Sequence, residues 1–301
     1  MPRPHRELLV VADDYGIGPA TSRGILDLAG MGALSATVLM VNTQYAESDI
    51  ARWHQANQPL AMGWHPNLTL DRPILSPNQV PSLVDAEGEF WKLGKFVKKA
   101  MLGALNPAEL EAELAAQLDR FVELVGQPPA LVNSHQHTCI FGPVGPALLR
   151  VLERQRLRPY IRRIRESWTT LWKVRGARLK RIFLNRFARK QNLRQRDAGF
   201  PGNDGFAGIT DPKWVTDPHF FARWLRHVPG QLVELMCHPG YRDETLTIRD
   251  SEGDPALVQR RVDELALLHQ PAFFKAIQKA GFSMVAPERL RAPERAYAYA
   301  A

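Results

Sequence analysis

Cysteine is almost absent: Cys139 and Cys237 are the only two in 301 residues. Two thiols cannot build the disulfide framework of a small secreted fold, so a reducing cytoplasm is the expected setting. No window approaches the eighteen or so consecutive apolar residues that a membrane-spanning helix needs, which excludes one. The opening MPRPHRELLVVADDYG runs straight into a strand-like segment, without the apolar stretch and cleavage site of a secretory signal. There is no internal repeat at a fixed period and no mid-chain linker. What remains is ordinary for a globular chain, 45% hydrophobic and 23% charged. Its length can bury a large core, as one big α/β domain or as two smaller ones.

Acidic residues are scarce in one place. The chain carries a net +8, but residues 150–200 hold 17 Lys and Arg against Glu153, Glu166 and Asp197, a local +14. The remaining residues sum to −6, so the basicity belongs to one segment.

Hydrophobic periodicity alternates between strand and helix. Leu8–Ala12, Ala36–Val41, Leu60–Trp64, Ala130–Asn133, Pro159–Ile164, Phe206–Ile209, Leu232–Met236 and Phe282–Val285 are short apolar runs of the kind buried in parallel sheets. Helical patterns cover 18–31, 44–56, 107–125, 144–156, 217–227, 255–269 and 271–280, with one or two more in the basic segment. Asn106 and Pro107 supply an N-cap and a first helical residue. A Pro- and Asp-rich stretch of about forty residues, 66–105, reads as a long loop, usually functional or mobile at that length. Seven or eight βα units predict an α/β fold with a single distorted (β/α) barrel of about seven strands, TIM-barrel-like. The barrel is expected over residues 1–290, with a basic helical segment at 165–198 and a disordered tail at 291–301.

Such barrels place reactive groups where strands end. The first strand ends in Asp13-Asp14, the third in His65, the fourth in His135 with His137 close behind, and the 232–236 strand in Cys237-His238. Each alone has an ordinary structural reading, as a helix cap, a hydrogen-bonded core histidine or a small buried thiol. Four strands delivering carboxylates and imidazoles to one rim point to a site. One Asp with two His suits a divalent cation with open positions for water, and Zn²⁺, Mn²⁺, Co²⁺, Fe²⁺ and Mg²⁺ all stay open. Such an ion lowers the pKa of its water and polarises a substrate carbonyl. Adjacent side chains on an extended backbone point in opposite directions, so one aspartate is expected to bind metal while the other acts separately, as the base for the attacking water. His238, arriving from across the rim, is the expected general acid.

These motifs resemble those of the YdjC-like carbohydrate deacetylases, the group that includes ChbG and HpnK. Ala12-Asp13-Asp14-Tyr15-Gly16 is similar to that family's ADDFG signature, Gly63–Thr69 to its GxHxxLT motif, Asn133–His137 to its DSHHH motif, and Met236–Gly240 to its late HPG motif. Pro81–Asp85 and Asn203–Gly208 resemble segments of the hopanoid-associated HpnK branch. The resemblance spans roughly residues 7–290. It implies a hydrolase that removes the acetyl group from an N-acetylated amino sugar with one divalent metal ion (Zn, Mg, Mn or Co). By motif position it implies Asp14, His65 and His135 as ligands, Asp13 as base, His238 as acid and His137 near the substrate. Arg162, Arg165 and Glu166 are implied as sugar contacts, against a reading as a solvated basic strand end. Asn133 stands where Asp is common, so a carboxylate supporting a ligand histidine is expected to be missing or supplied elsewhere.

Three readings of the basic segment follow from its composition. It is a helical pair with solvated cations, an interfacial helix meeting anionic lipid, or a nucleic-acid surface. The implied substrate is an N-acetylglucosamine-type glycan or glycolipid, including a hopanoid glycolipid, which suits a cytoplasmic protein peripheral on the inner membrane face. A homodimer is compatible with this. The rival functions are a metal-dependent phosphoesterase whose arginines clamp phosphate, and a non-catalytic nucleic-acid-binding protein.

Overall fold

A computed structural model describes residues 6–243, 246, 249 and 254–290. The tail expected at 291–301 lies outside them. The strands are β1 (Arg6–Tyr15), β2 (Ala36–Leu39), β3 (Ala61–Trp64), β4 (Leu131–Val132), β5 (Tyr160–Ile161), β6 (Gly205–Ala207), β7 (Leu232–Cys237) and β8 (Phe282–Met284). The helices are α1 (Pro19–Gly30), α2 (Ala46–Gln55), α3 (Leu93–Met101), α4 (Pro107–Val125), α5 (Val144–Arg154), α6 (Trp168–Lys173), α7 (Arg178–Asp197), α8 (Phe220–His227), α9 (Pro255–Leu268) and α10 (Pro271–Lys279).

All pairings between these strands are parallel, in the order β5-β4-β3-β2-β1-β7-β6, with β8 added beside the start of β1. The seven strands curl into a half-barrel, so the edge strands approach one another without a regular ladder. Ile161 N–H donates to Pro201 O at 2.9 Å and Phe206 N–H to Arg165 O at 3.0 Å. Between them the Asn203 side chain accepts from Arg163 N–H and donates to the Arg163 and Gly205 carbonyls. The expected distorted barrel of about seven strands is therefore present, with an eighth strand branching from β1.

Strand parity explains where the site lies. Leu8, Val10 and Ala12 face outward onto the helices, while Leu9 and Val11 face inward with Ala36, Val38, Leu131 and Tyr160. A strand buried on both faces must be apolar at every position, which is why β1 reads as a continuous run. Going up the inward rows, apolar residues give way to polar ones: Asp13 above Val11, Asn133 above Leu131, Arg162 above Tyr160. The barrel floor is dry and its mouth is charged.

The stretch 66–105 is less loop-like than its composition predicts. It contains α3, whose inner side chains Phe96 and Ala100 are buried, and a Val84–Phe90 bridge. The Pro81–Asp85 segment is tied in by Trp91 Nε1–H donating to Ser82 O. Cys139 and Cys237 are both free. No helix among the described residues is long and apolar enough to cross a membrane.

Gly63 sits on an inward row directly against β4. A Cβ there would lie 2.6 Å from the Leu131 side chain and from its carbonyl oxygen. Backbone cannot yield as a side-chain tip can, so Gly63→Ala should cost about 1–3 kcal/mol of stability, the usual price of overpacking, read by chemical denaturation.

Candidate metal and catalytic centre

The centre begins with a fault in β1. Pairing with β2 runs Val11↔Ala36 and Ala12↔Thr37, then resumes at Tyr15↔Leu39. Asp13 and Asp14 thus share the space opposite a single residue, a β-bulge, with Asp14 at φ 69°. Aspartate is among the few residues that tolerate this left-handed conformation. The expectation that the two carboxylates leave on opposite sides is therefore corrected. It assumed an extended backbone, and the bulge turns both into the same cavity.

Asp14 meets two histidines there. Its Oδ1 is 3.1 Å from His65 Nε2 and 3.1 Å from His135 Nδ1, and donor atoms of all three lie within 4.8 Å of one another. All three residues are buried. Asp14 Oδ2 accepts from Arg261 at 2.6 Å, a residue of α9. Burial opposes the charge on Asp14, but Arg261 and the hydrogen bonds with His135 and His65 outweigh it and hold the carboxyl well below its usual range.

His65 carries the most telling detail. Its Nδ1 faces two acceptors, Asn133 O at 3.1 Å and the Asn133 side-chain Oδ1, so Nδ1 must bear hydrogen. In the neutral ring Nε2 then presents a lone pair to the Asp14 carboxylate. That contact is favourable only with positive charge between the two atoms, either the proton of a charged ring, which then donates to Asp14, or a metal cation in its place. Two imidazoles and one carboxylate fit a borderline divalent ion, and the fixed His65 tautomer is what a ligand needs. The carboxylate expected to be missing at Asn133 is replaced in place by the amide. Its amide oxygen supports His65 as a carboxylate would, while its Nδ2 donates to Asp13 Oδ1 at 3.1 Å, which a carboxylate could not do.

Asp13 is gripped from the other side. Arg162 Nη1 and Nη2 bond its two oxygens at 2.6 and 2.7 Å. Arg162 Nε donates to Glu234 Oε1 at 2.5 Å, and Tyr160 Oη donates to Glu234 Oε2 at 2.8 Å. Every link in the chain Tyr160–Glu234–Arg162–Asp13 is buried. Burial raises the pKa of Glu234 although Arg162 opposes it, and burial next to Glu234 raises that of Tyr160. Burial works against the Arg162 charge, but Asp13 and Glu234 raise its pKa overall. His238 Nε2 lies 3.9 Å from Asp13 Oδ2, and its Nδ1 faces Arg260 Nη2 at 3.4 Å. Burial and the Arg260 charge push its imidazole well below the usual histidine range, so the ring is neutral at neutral pH.

The centre opens into a cavity of about 540 Å³. Asp13, Asp14, His65, His135, His137 and His238 all line it, and the neutral His137 ring stands edge-on to Phe206. The other expected sugar contacts are placed differently. Arg162 lies behind Asp13 with its guanidinium committed to carboxylates. Arg165 is exposed and does not line the cavity. Glu166 is bound by Arg181 of α7 through both oxygens, anchoring that helix. The walls come from α3 (Leu93, Val97), α7 (Lys180, Phe183) and α9 (Leu257, Arg260, Arg261).

Sequence reading missed Arg261, Arg260 and Glu234. Two arginines on a polar helix look like a solvated face, and one glutamate in an apolar strand gives no partner. The polar residue inside Leu232–Met236, a run buried on both faces, was the available signal.

The family described as YdjC-like protein matches residues 7–279. The chain is 31% identical over 280 residues to a carbohydrate deacetylase of Geobacillus stearothermophilus, covering 93% of this chain and 96% of that one. It is 30% identical over 284 residues to a chitooligosaccharide deacetylase of Yersinia pestis, covering 92% and 96%. Its fold is similar to a crystal structure from Enterococcus faecalis described as a candidate cellobiose-phosphate cleavage protein, at a TM-score of 0.74 and 22% identity over 96% of this chain and 100% of that one.

Replacing Asn133 by leucine keeps the branched shape with somewhat greater bulk and removes both side-chain hydrogen bonds. We expect Asn133→Leu to weaken retention of an added divalent ion by about 10–100-fold, the usual effect of losing a ligand's support, in a chelator-competition titration.

Proposed function

The chain belongs to the YdjC-like protein family, and from that premise we propose that it is a carbohydrate deacetylase, a hydrolase that cleaves the acetamide of an N-acetylated amino sugar with the help of one divalent ion. The observation that carries the reading is the convergence of Asp14, His65 and His135 beside a second carboxylate and a third imidazole at the mouth of one cavity. The names of the two relatives support the same chemistry.

Asp14, His65 and His135 would hold the ion, which when bound supplies Lewis acidity toward water and the acetyl carbonyl. Asp13 accepts the proton of the attacking water. Its two bonds to Arg162 fix its direction, and Glu234 fixes Arg162 in turn. Because the His238 ring is neutral, it takes up a proton before it can give one. Its Nε2, facing Asp13, is placed to receive the proton that Asp13 removed and pass it to the departing nitrogen. The water's proton thus ends on the amine, its oxygen on the acetyl carbon, and the products are the free amino sugar and acetate. His137, backed by Phe206, lines the adjoining wall, where the sugar ring would lie. The substrate is an N-acetylglucosamine-type glycan or glycolipid.

A phosphoesterase is less well supported. Arg162 is spent on Asp13 and Glu234, and Arg165 is outside the cavity, so neither is placed to clamp phosphate.

Acetate release from N-acetylated chitooligosaccharides tests the reading. His65→Ala and His135→Ala should abolish both metal retention and acetate release. Asp13→Asn should retain metal and lower kcat by at least about a hundredfold, as expected for a general base. Full activity after exhaustive chelation, or phosphate release in place of acetate release, contradicts it.

Glu234→Gln should lower kcat while leaving KM and metal content unchanged, because it loosens Arg162 without touching a ligand. Equal loss of folding stability and of metal in this variant would show that Glu234 only holds the barrel together.

A further inference from the structure

The deacetylation chemistry leaves the basic segment largely unused. Of its two helices, α7 carries eight cations and a single acid, Asp197 in its last turn. Arg181 alone among these cations is buried, paired with Glu166. The outward face is not simply a solvated charged surface. Leu179 is 85% exposed, and Ile182 and Phe183 follow at helical spacing, with Leu193 farther along. Arg186, Arg189 and Lys190 are exposed among them. On α6, Trp168 and Trp172 are 69% and 67% exposed, and Arg178 joins the helices by donating to Trp172 O.

This apolar face reaches the cavity at one point. Phe183 is both exposed and a cavity wall, and it packs on Phe141 with ring centroids 5.9 Å apart. The next residue, Gly142, abuts Ala100 of α3, so that a Cβ there would be 2.6 Å from the Ala100 carbonyl. Beyond Ala100, Met101 and Leu102 are again exposed, near Lys98.

We propose that α6, the outer face of α7 and the end of α3 form one surface that docks on an anionic lipid membrane. Tryptophan and aliphatic side chains interspersed with Arg and Lys suit the boundary between headgroups and acyl chains. The charge chooses the occupant. A second copy would set one strongly basic face against another, whereas an anionic leaflet complements it. Docked this way, the cavity mouth faces the headgroups, so an acetylated amino sugar presented at the membrane surface reaches the centre directly. That last consequence rests on the deacetylase reading; the docking surface does not.

Co-sedimentation of the full chain with vesicles tests it. Wild type should sediment with phosphatidylglycerol-containing vesicles at low salt, far less with pure phosphatidylcholine, and be released as salt rises. Trp172→Ser with Leu179→Ser, and separately Arg186→Glu with Lys190→Glu, should each lower binding at least about tenfold with unchanged melting. Acetate release from soluble oligosaccharides should be unaffected, since none of these four lines the cavity. The proposal is overturned if wild type stays in solution with anionic vesicles, or if both pairs bind as wild type does. It is equally overturned if duplex DNA retains the protein where vesicles do not, or if the patch is buried in a stable dimer. Vesicle binding lost in the variants, with no acetate released by any form, would sink the deacetylase reading and leave the surface standing. Acetate release without vesicle binding would do the reverse.

Discussion

Two carboxylates on consecutive residues repel one another and, on a regular strand, face opposite ways. In this protein the backbone leaves the extended conformation at Asp14, and both enter one cavity. Everything around the centre follows from having to hold two negative charges close together with little water. Arg162 neutralises Asp13 from inside the barrel, and Arg261 neutralises Asp14 from a surrounding helix. Asn133 separates the two environments, donating to Asp13 while accepting from His65.

The division of labour between the carboxylates comes from these partners. Asp14 keeps one oxygen on Arg261 and turns the other toward two imidazoles, which suits the ligand role proposed for it. Asp13 has both oxygens on a guanidinium and faces His238 across 3.9 Å, which suits the proton-accepting role proposed for it. Buried charges are costly unless paired, and removing one member of a buried pair typically costs about 3–5 kcal/mol. The Tyr160–Glu234–Arg162 chain therefore belongs to the centre as much as the residues that line the cavity. It extends the rigid scaffold of β5 and β7 to the carboxylate that must not move.

The cavity walls have a different origin. The barrel supplies the reactive groups, while α3 and α7, both inserted between barrel strands, supply apolar and basic side chains around the mouth. Outward, α7 presents leucine and cations, and the neighbouring α6 adds two exposed tryptophans. The reactive groups and the proposed docking surface thus lie on largely separate parts of the chain, meeting at the α7 residues that line the cavity.

The sequence by itself determined the parallel α/β architecture, because strands buried on both faces are written as apolar runs between amphipathic helices. It also brought Asp13, Asp14, His65, His135, His137 and His238 to one rim, since each follows such a run and strand ends meet there, while the family resemblance singled out Asp14, His65 and His135. The Asn106 cap on α4 and the basic character of α6 and α7 were legible for the same local reasons. Only the tertiary structure decided that Asp13 and Asp14 point the same way, because a one-residue bulge leaves no mark in composition or periodicity. Only it found Arg261 and Glu234, whose partners lie 247 and 72 residues away and whose roles exist only once the barrel has brought them together. It also showed α3 inside a stretch that reads as loop, where packing of Phe96 and Ala100 outweighs a Pro-rich context, and it left Arg165 exposed and Glu166 paired with Arg181, neither lining the cavity. Local pattern fixes which face of an element is buried. Which charges meet across that buried space depends on distances that the linear chain does not encode residue by residue.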